Sequence, residues 1–130
     1  DSIISLEVME MERWEESMAA WLAEEAAQCE ERRAALEADG RLDEAVFEKT
    51  RANVYGAFRT VLLAAGHTRA QGEEARRFFM ERLEQIPKRW SEAYEEGKRH
   101  GDIARMALES MKLDTVRKIR EKLRQVWERE

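Results

Sequence analysis

Apolar side chains recur along most of this chain at intervals of three, four or seven residues, the spacing that places them on one face of an α-helix. In the first forty residues they form a single stripe, which consists of Ile4, Val8, Met11, Met18, Leu22, Cys29 and Leu36. Gly40 follows this stripe, and glycine adopts the left-handed conformation that ends many helices at little cost. The pattern predicts a long first helix over about residues 3–38.

The next two stripes predict helices over about residues 42–65 and 69–100. The expected buried face of the second helix ends before Gly66 and consists of Leu42, Val46, Val54, Ala57, Phe58, Val61, Leu62 and Ala65. Thr68 and Gln71 have the spacing of a capping box, which would open the third helix. Pro87 lies inside the third stripe, but the stripe keeps its phase beyond it as far as Tyr94. We therefore expect a kink at Pro87 rather than a chain reversal.

The last segment, about residues 103–129, carries two apolar faces that are nearly opposite. The first consists of Ile103, Met106, Ala107 and Met111, and the second of Val116, Ile119, Leu123 and Val126. Gly101 and Asp102 separate this segment from the third helix, and Asp102 is a favourable N-cap residue. Because a straight helix cannot bury both faces against the same neighbours, we expect a break at residues 112–115, with Asp114 capping a new helix. The alternative is an unbroken helix held between two partners.

The composition agrees with an all-helical fold. Ala, Leu, Glu, Lys and Arg supply 74 of the 130 residues, well above the roughly 50% that marks long or coiled helices. Proline occurs once, and the β-branched residues that favour strands number 15. Short connections make consecutive helices antiparallel neighbours. We therefore predict an all-α, up-down-up-down four-helix bundle that forms a single domain over residues 1–130.

The two signs of charge are separated along the chain. Residues 1–40 carry a net charge of −9 and residues 41–130 a net charge of +4. In the predicted topology the last helix runs antiparallel to the first, so a basic run would lie beside an acidic one. The acidic run is Glu7, Glu10, Glu12, Glu15 and Glu16, and the basic run is Arg117, Lys118, Arg120, Lys122 and Arg124. Because exposed ion pairs contribute little free energy, this match favours the orientation of the helices more than their stability.

The first predicted helix is much longer than the second, roughly 55 Å against roughly 36 Å at 1.5 Å per residue. Its first turns would therefore extend beyond the second helix and leave part of the apolar stripe uncovered. An uncovered stripe in a soluble protein often packs against a second copy of itself. We expect a homodimer whose contacts include Ile4, Val8, Met11 and Trp14.

No arrangement of residues indicates catalysis or a metal site. His67 and His100 are separated by most of a helix, roughly 45–50 Å, so they cannot share a metal ion. Cys29 lies in the apolar stripe beside Glu30 and Glu31, which would oppose a thiolate. We therefore expect no enzyme activity, no cofactor and no catalytic or metal-binding residue. The longest uncharged stretch is too short to cross a bilayer and no basic leader is visible, so we expect no membrane partner and a cytoplasmic location.

A set of polar residues falls on faces that are otherwise apolar: Glu25, Arg32, Thr50, Asn53 and Tyr94. Burying such groups is costly unless they are paired. The first interpretation is a satisfied network that sets the register of the helices. The second is a small-molecule pocket between helices.

These observations favour a non-catalytic interaction or regulatory module, with Tyr55, Phe78 and Met80 as contacts for an unknown protein partner. One alternative is a sensor or enzyme that uses the polar layer. Another is a nucleic-acid-binding accessory protein, which would contact phosphates through Arg117, Lys118, Arg120, Lys122 and Arg124. Two observations disfavour nucleic acid. The net charge of the chain is −5, and the acidic run of the first helix is expected to pair with this basic run.

Overall fold

The structure is a computed structural model, and it describes residues 13–68 and 73–129. The described residues form four α-helices: α1 (Arg13–Ala38), α2 (Leu42–Thr68), α3 (Glu73–Arg99) and α4 (Ile103–Glu128). The predicted all-α fold with four helices is confirmed. The predicted start of the first helix, including Ile4, Val8 and Met11, lies outside the described residues.

Two glycine turns end α1 and α3 as the sequence predicts. Gly40 has φ of 75°, and Gly101 has φ of 67°. At the first turn the amide of Arg41 donates to the carbonyl of Leu36 at 2.9 Å, and the second turn repeats this bond across the same number of residues. This is the Schellman arrangement, in which a left-handed residue lets the chain satisfy the last carbonyls of the helix.

The helices α1 and α2 run antiparallel. Trp21 packs against Tyr55 with ring centroids 5.6 Å apart. Further along α1, the Arg32 Nε atom lies 3.0 Å from a carboxylate oxygen of Glu48, a residue nearer the start of α2. Because later residues of α1 contact earlier residues of α2, the two helices form a hairpin about the first glycine turn.

The helices α3 and α4 form a second antiparallel hairpin. Arg76, early in α3, lies 5.1 Å from the ring of Trp127, late in α4. Trp90, later in α3, has Lys112, an earlier residue of α4, 5.7 Å from its ring. Trp14, near the start of α1, packs on the same Trp127 at 5.5 Å. The start of α1 is therefore beside the end of α4. It follows that both glycine turns lie at the opposite end of the bundle, which we call the turn end.

The apolar core is densest away from the turn end. Trp14, Phe58 and Phe79 are fully buried, and Phe79 contacts both others with ring centroids 6.2 and 6.4 Å apart. We call this part of the bundle the aromatic end. Aliphatic side chains from all four helices complete the core: Met18, Leu22, Leu62, Leu83, Val116, Ile119 and Leu123.

Two predictions about α2 are wrong. Leu42 and Val46, assigned to its buried face, are 62% and 53% exposed. In these first turns α2 buries Ala45 and Glu48 instead. Leu42 and Val46 are not covered by α3, because the residues that α3 buries lie mostly before or at Pro87, away from the start of α2. At its other end α2 continues to Thr68, so this threonine belongs to α2 rather than opening the next helix.

The predicted break in the last segment is also wrong, because α4 is continuous from Ile103 to Glu128. The two apolar faces raise no conflict, since the first is only partly buried: Ile103 is 78% exposed and Ala107 is exposed, whereas Met111 is buried. Asp102 does cap the helix, accepting a hydrogen bond from the Arg105 amide at 3.1 Å. Asp114 lies inside the helix and pairs with Arg117 at 2.6 Å instead of starting a new one.

Pro87 lies within α3, is buried and does not end the helix. The expectation that the chain does not reverse there is therefore confirmed, and the kink itself stays a prediction. Beyond Pro87 the buried position on α3 is Gly97, where an added Cβ would lie 3.4 Å from the Asp102 carbonyl and from the Met106 side chain. Glycine therefore lets the end of α3 approach the start of α4 closely.

Candidate functional site

The predicted polar layer does not form one site. Glu25 is half-buried and Arg32 exposed, and both belong to the contact between α1 and α2. Thr50 and Asn53 lie on another face of α2, where they line a groove with residues of α3 and α4. Tyr94 is half-buried on α3. The structure therefore divides the other four residues between a charge cluster and a groove, and Tyr94 is part of neither.

The charge cluster is centred on a residue that the sequence did not single out. The side chain of Glu48 is only 9% exposed and accepts from Arg32 Nε at 3.0 Å and from Arg51. The Arg32 Nη2 atom also donates to the sulfur of Cys29 at 3.3 Å. Glu48 lies between the buried alanines Ala45 and Ala52 of α2. Because a glutamate adds no apolar position to the sequence pattern, only the packing of α1 on α2 identifies it.

Two further groups of this cluster, the Cys29 thiol and the Tyr55 phenol, are held in their neutral forms. Burial raises the pKa of the Cys29 thiol, and the nearby Glu48 carboxylate raises it further. Burial also raises the pKa of Tyr55 to about 12, with an added contribution from Glu25. Near neutral pH the cluster therefore presents a thiol and a phenol, together with a carboxylate already engaged by two guanidinium groups. These properties suit a contact that joins α1 to α2.

Tyr55 was expected to lie on the surface as a partner contact, and this is wrong. It is 2% exposed and packs edge-on against Trp21. Of the two other expected contacts, Phe78 is half-buried with the Arg82 guanidinium 4.9 Å from its ring centroid, and Met80 is 37% exposed.

A groove of about 410 Å³ separates α2 from α3 and α4. We call it the Trp90 groove, and its lining residues are Thr50, Asn53, Val54, Ala57, Trp90, Leu108 and Lys112. Its volume falls within the range of roughly 300–1,000 Å³ that is usual for small-molecule sites. The groove opens where the two hairpins meet, between the aromatic end and the turn end.

Two polar groups of the Trp90 groove, those of Thr50 and Lys112, have defined partners. The Thr50 hydroxyl donates to the Val46 carbonyl at 2.8 Å, which leaves its oxygen lone pairs directed away from the helix axis as acceptors. The Lys112 ammonium lies 3.2 Å from Glu109 Oε1 and 5.7 Å from the centroid of the Trp90 ring. Glu109 is itself buried, with 7% of its surface exposed. Lys112 is therefore held in place by a carboxylate on one side and an aromatic ring on another.

A second feature lies at the turn end, where Leu42 and Val46 are one helical turn apart and exposed. They line a shallow groove of about 240 Å³ together with Arg33, Glu37, Ala45 and Lys49. We call these six residues the Leu42 face. The sequence did predict the apolar positions, but it assigned them to the core, so the signal was present and its interpretation was wrong.

A further groove of about 440 Å³ lies between α1 and α4, and its lining includes Trp21, Glu24, Lys122 and Arg129. Lys122 is 5.9 Å from the centroid of the Trp21 ring. Because Glu24 is acidic and Lys122 and Arg129 are basic, the charges that line this groove favour neither an anion nor a cation.

The basic run of α4 is largely engaged within the protein. Arg117 pairs with Asp114 inside the helix, and Arg124 pairs with Glu121 at 2.5 Å. Arg120 donates to the Leu83 carbonyl of α3 at 2.6 Å. Lys118 is exposed, and Lys122 lies over Trp21. The ion pairs that the structure gives for this run are within α4. Glu7, Glu10 and Glu12, which the sequence suggested as partners, lie outside the described residues.

Of the four predicted dimer contacts, the structure describes one. Trp14 has 0% of its surface exposed, so it belongs to the core of a single chain and cannot serve as a dimer contact. The packing of α3 and α4 covers it, through Phe79 and Trp127. Ile4, Val8 and Met11 lie outside the described residues.

Within residues 13–68 and 73–129, no three His, Cys, Asp or Glu side chains are grouped closely enough to hold a metal ion. None of the described helices combines the length and the apolar character needed to cross a membrane. No protein-family model matches the chain, and no curated protein or solved structure matches it.

Proposed function

We propose that this protein is a non-catalytic interaction module that forms a homodimer through the Leu42 face. The observation that carries the proposal is the exposure of two large aliphatic side chains one turn apart, Leu42 at 62% and Val46 at 53%. Single exposed apolar residues are common on protein surfaces, whereas adjacent ones that line a groove are more typical of an interface.

The charges around the Leu42 face support a second copy of this chain as the partner. Arg33 and Lys49 are basic and Glu37 is acidic, so the rim carries both signs. In a two-fold dimer the same surface meets itself, and a rim of one sign would repel its copy. A mixed rim lets basic residues of one protomer approach the acidic residue of the other.

The proposal is tested by light scattering after size-exclusion chromatography over a range of micromolar concentrations. The wild-type chain is expected to have the mass of a dimer, and the double variant Leu42→Glu, Val46→Glu that of a monomer. Because both positions are exposed, the substitutions should leave the helical circular dichroism unchanged. Ile103→Glu is the matched control, since Ile103 is 78% exposed but belongs to the other hairpin.

Two results would overturn the proposal: a wild-type chain that stays monomeric, or a double variant that stays dimeric. A triple variant Ile4→Glu, Val8→Glu, Met11→Glu tests the interface that the sequence predicted. If this variant alone dissociated, the homodimer would be retained and the Leu42 face would be rejected as its interface.

A further inference from the structure

We propose that the Trp90 groove binds an amphipathic monocarboxylate, a molecule with one carboxylate and an apolar chain or ring. This proposal is independent of the homodimer, because the residues that carry it lie on α2, α3 and α4 beyond the Leu42 face. Two properties of the groove support it: an apolar wall and a single fixed cation.

The apolar wall is contributed by three helices. Val54 and Ala57 belong to α2, Trp90 to α3 and Leu108 to α4. Val54 is buried, Trp90 and Leu108 are half-buried and Ala57 is exposed, so the wall is open to solvent along one side. An apolar chain placed there would remove water from the exposed parts of this wall, which is favourable in proportion to the apolar surface buried.

The charge of the groove selects an anion. Among the described residues that line it, Lys112 alone is charged. Its ammonium group carries three N–H donors, and Glu109 at 3.2 Å engages one side of it. The remaining donors are available to a carboxylate, and the Asn53 side chain, exposed on the facing helix, adds two further N–H donors.

The position of Lys112 is set before any ligand binds. A lysine on an open surface loses rotamer entropy when it is fixed by a ligand, which lowers the affinity. Here the side chain is 22% exposed and is held between the buried Glu109 and the ring of Trp90. Its neighbour Glu109 also limits the affinity, because a bound carboxylate shares the ammonium with it. Binding in the micromolar to millimolar range is therefore expected.

The test is a titration of the isotopically labelled full chain followed by NMR, with octanoate, octan-1-ol and octylammonium as probes. Octanoate is expected to shift the Trp90 indole resonance and the backbone amides of Asn53, Ala57 and Leu108. Octan-1-ol is expected to bind at least about fivefold more weakly, and octylammonium should give no saturable shift at these positions. Equal affinity for octan-1-ol and octanoate, or shifts spread over the surface, would refute the proposal.

Variants identify the cation. Lys112→Met keeps the stem of the side chain and is expected to weaken octanoate about tenfold while leaving octan-1-ol unchanged. Lys118→Met is the matched control, since Lys118 is an exposed lysine of the same helix outside the groove. An equal effect of both variants would show that α4 attracts anions generally and would reject the site.

Removing Lys112 leaves Glu109 buried beside an apolar side chain, which can destabilise the chain by itself. The double variant Glu109→Gln, Lys112→Met removes the cation without leaving an unpaired buried carboxylate. A second variant, Ala57→Trp, keeps the cation and fills the groove from an exposed position. Both are expected to keep the wild-type thermal transition and to weaken octanoate binding at least about tenfold. Undiminished octanoate binding by Ala57→Trp would place the ligand elsewhere and overturn the proposal.

Discussion

The two ends of the bundle are built from helices of the same amphipathic kind, but they bury their apolar residues to different extents. At the aromatic end Trp14, Phe58 and Phe79 are fully buried by residues from all four helices. At the turn end Leu42, Val46 and Ile103 are more than half exposed. The difference shows that an apolar stripe is buried only where neighbouring helices reach it, and that the remainder of the stripe is a surface available to a partner.

The turn end is stabilised by other interactions. Between α1 and α2 the Glu48 carboxylate pairs with Arg32 of α1 and is also held by Arg51 of its own helix. Between α3 and α4 the helices approach closely at Gly97. These contacts are local to each hairpin. The aromatic end, in contrast, joins the two hairpins, since Trp14 and Phe58 of the first contact Phe79 of the second.

The largest expected difference between the ends is in the free energy of unfolding. Phe79→Ala should lower it by about 3–5 kcal/mol, because the substitution removes a fully buried ring and leaves a cavity. Ile103→Ala should change it by no more than about 0.5 kcal/mol, because the side chain is 78% exposed and lies outside the Leu42 face. Urea unfolding monitored by circular dichroism measures both values. Equal losses would contradict the distinction between the two ends.

The charge cluster is expected to have an intermediate effect. Glu48→Gln should lower the free energy of unfolding by about 1–2 kcal/mol, because the amide keeps only one acceptor oxygen and no charge, so one hydrogen bond from the two arginines is lost and the other is weakened. Glu44→Gln is the matched control, since Glu44 pairs with Arg41 at an exposed position of the same helix. The control should show no measurable loss. A loss for the control as large as that for Glu48 would mean that burial is not the cause.

The smallest effect concerns Tyr55, and it depends on pH. The folded state raises the pKa of this phenol to about 12, against roughly 10 in the unfolded chain. The unfolded chain therefore releases this proton first as the pH rises, so the folded state loses stability progressively from about pH 10 to about pH 12. Between about pH 9 and about pH 11 the wild-type chain should lose about 1 kcal/mol more than Tyr55→Phe. Parallel losses in the two proteins, measured by urea unfolding, would show that Tyr55 does not ionise as described.

The ends of α1 and α3 and the start of α4 were predicted correctly from local chemistry. Gly40 and Gly101 adopt positive φ, and Asp102 accepts the hydrogen bond of an N-cap, as their residue types indicate. These features depend on a few neighbouring residues, so one sequence suffices to predict them. Pro87 is the same kind of case, because the stripe that continues beyond it indicated correctly that the helix does not end there.

The errors concern contacts between helices. Tyr55 was expected at the surface and is buried against Trp21, whereas Leu42 was expected in the core and is exposed. The break in α4 was inferred from two apolar faces, on the assumption that both must be buried. The polar layer was assembled from residues at similar levels, but the structure places Arg32 in the contact between α1 and α2, and Thr50 and Asn53 in a groove beside α3 and α4. Periodicity shows which residues share a face, but not how far each face is covered.

The amino-acid sequence by itself determined the four helices and the two glycine turns, because hydrophobic periodicity, capping and the conformational freedom of glycine act within a few residues along the chain. Only the tertiary structure decided that Glu48 is buried, that Lys112 is held beside Trp90, and that Leu42 and Val46 face solvent. Burial depends on which helices lie beside a residue at its own level of the bundle, and that is set by packing between segments distant in the chain.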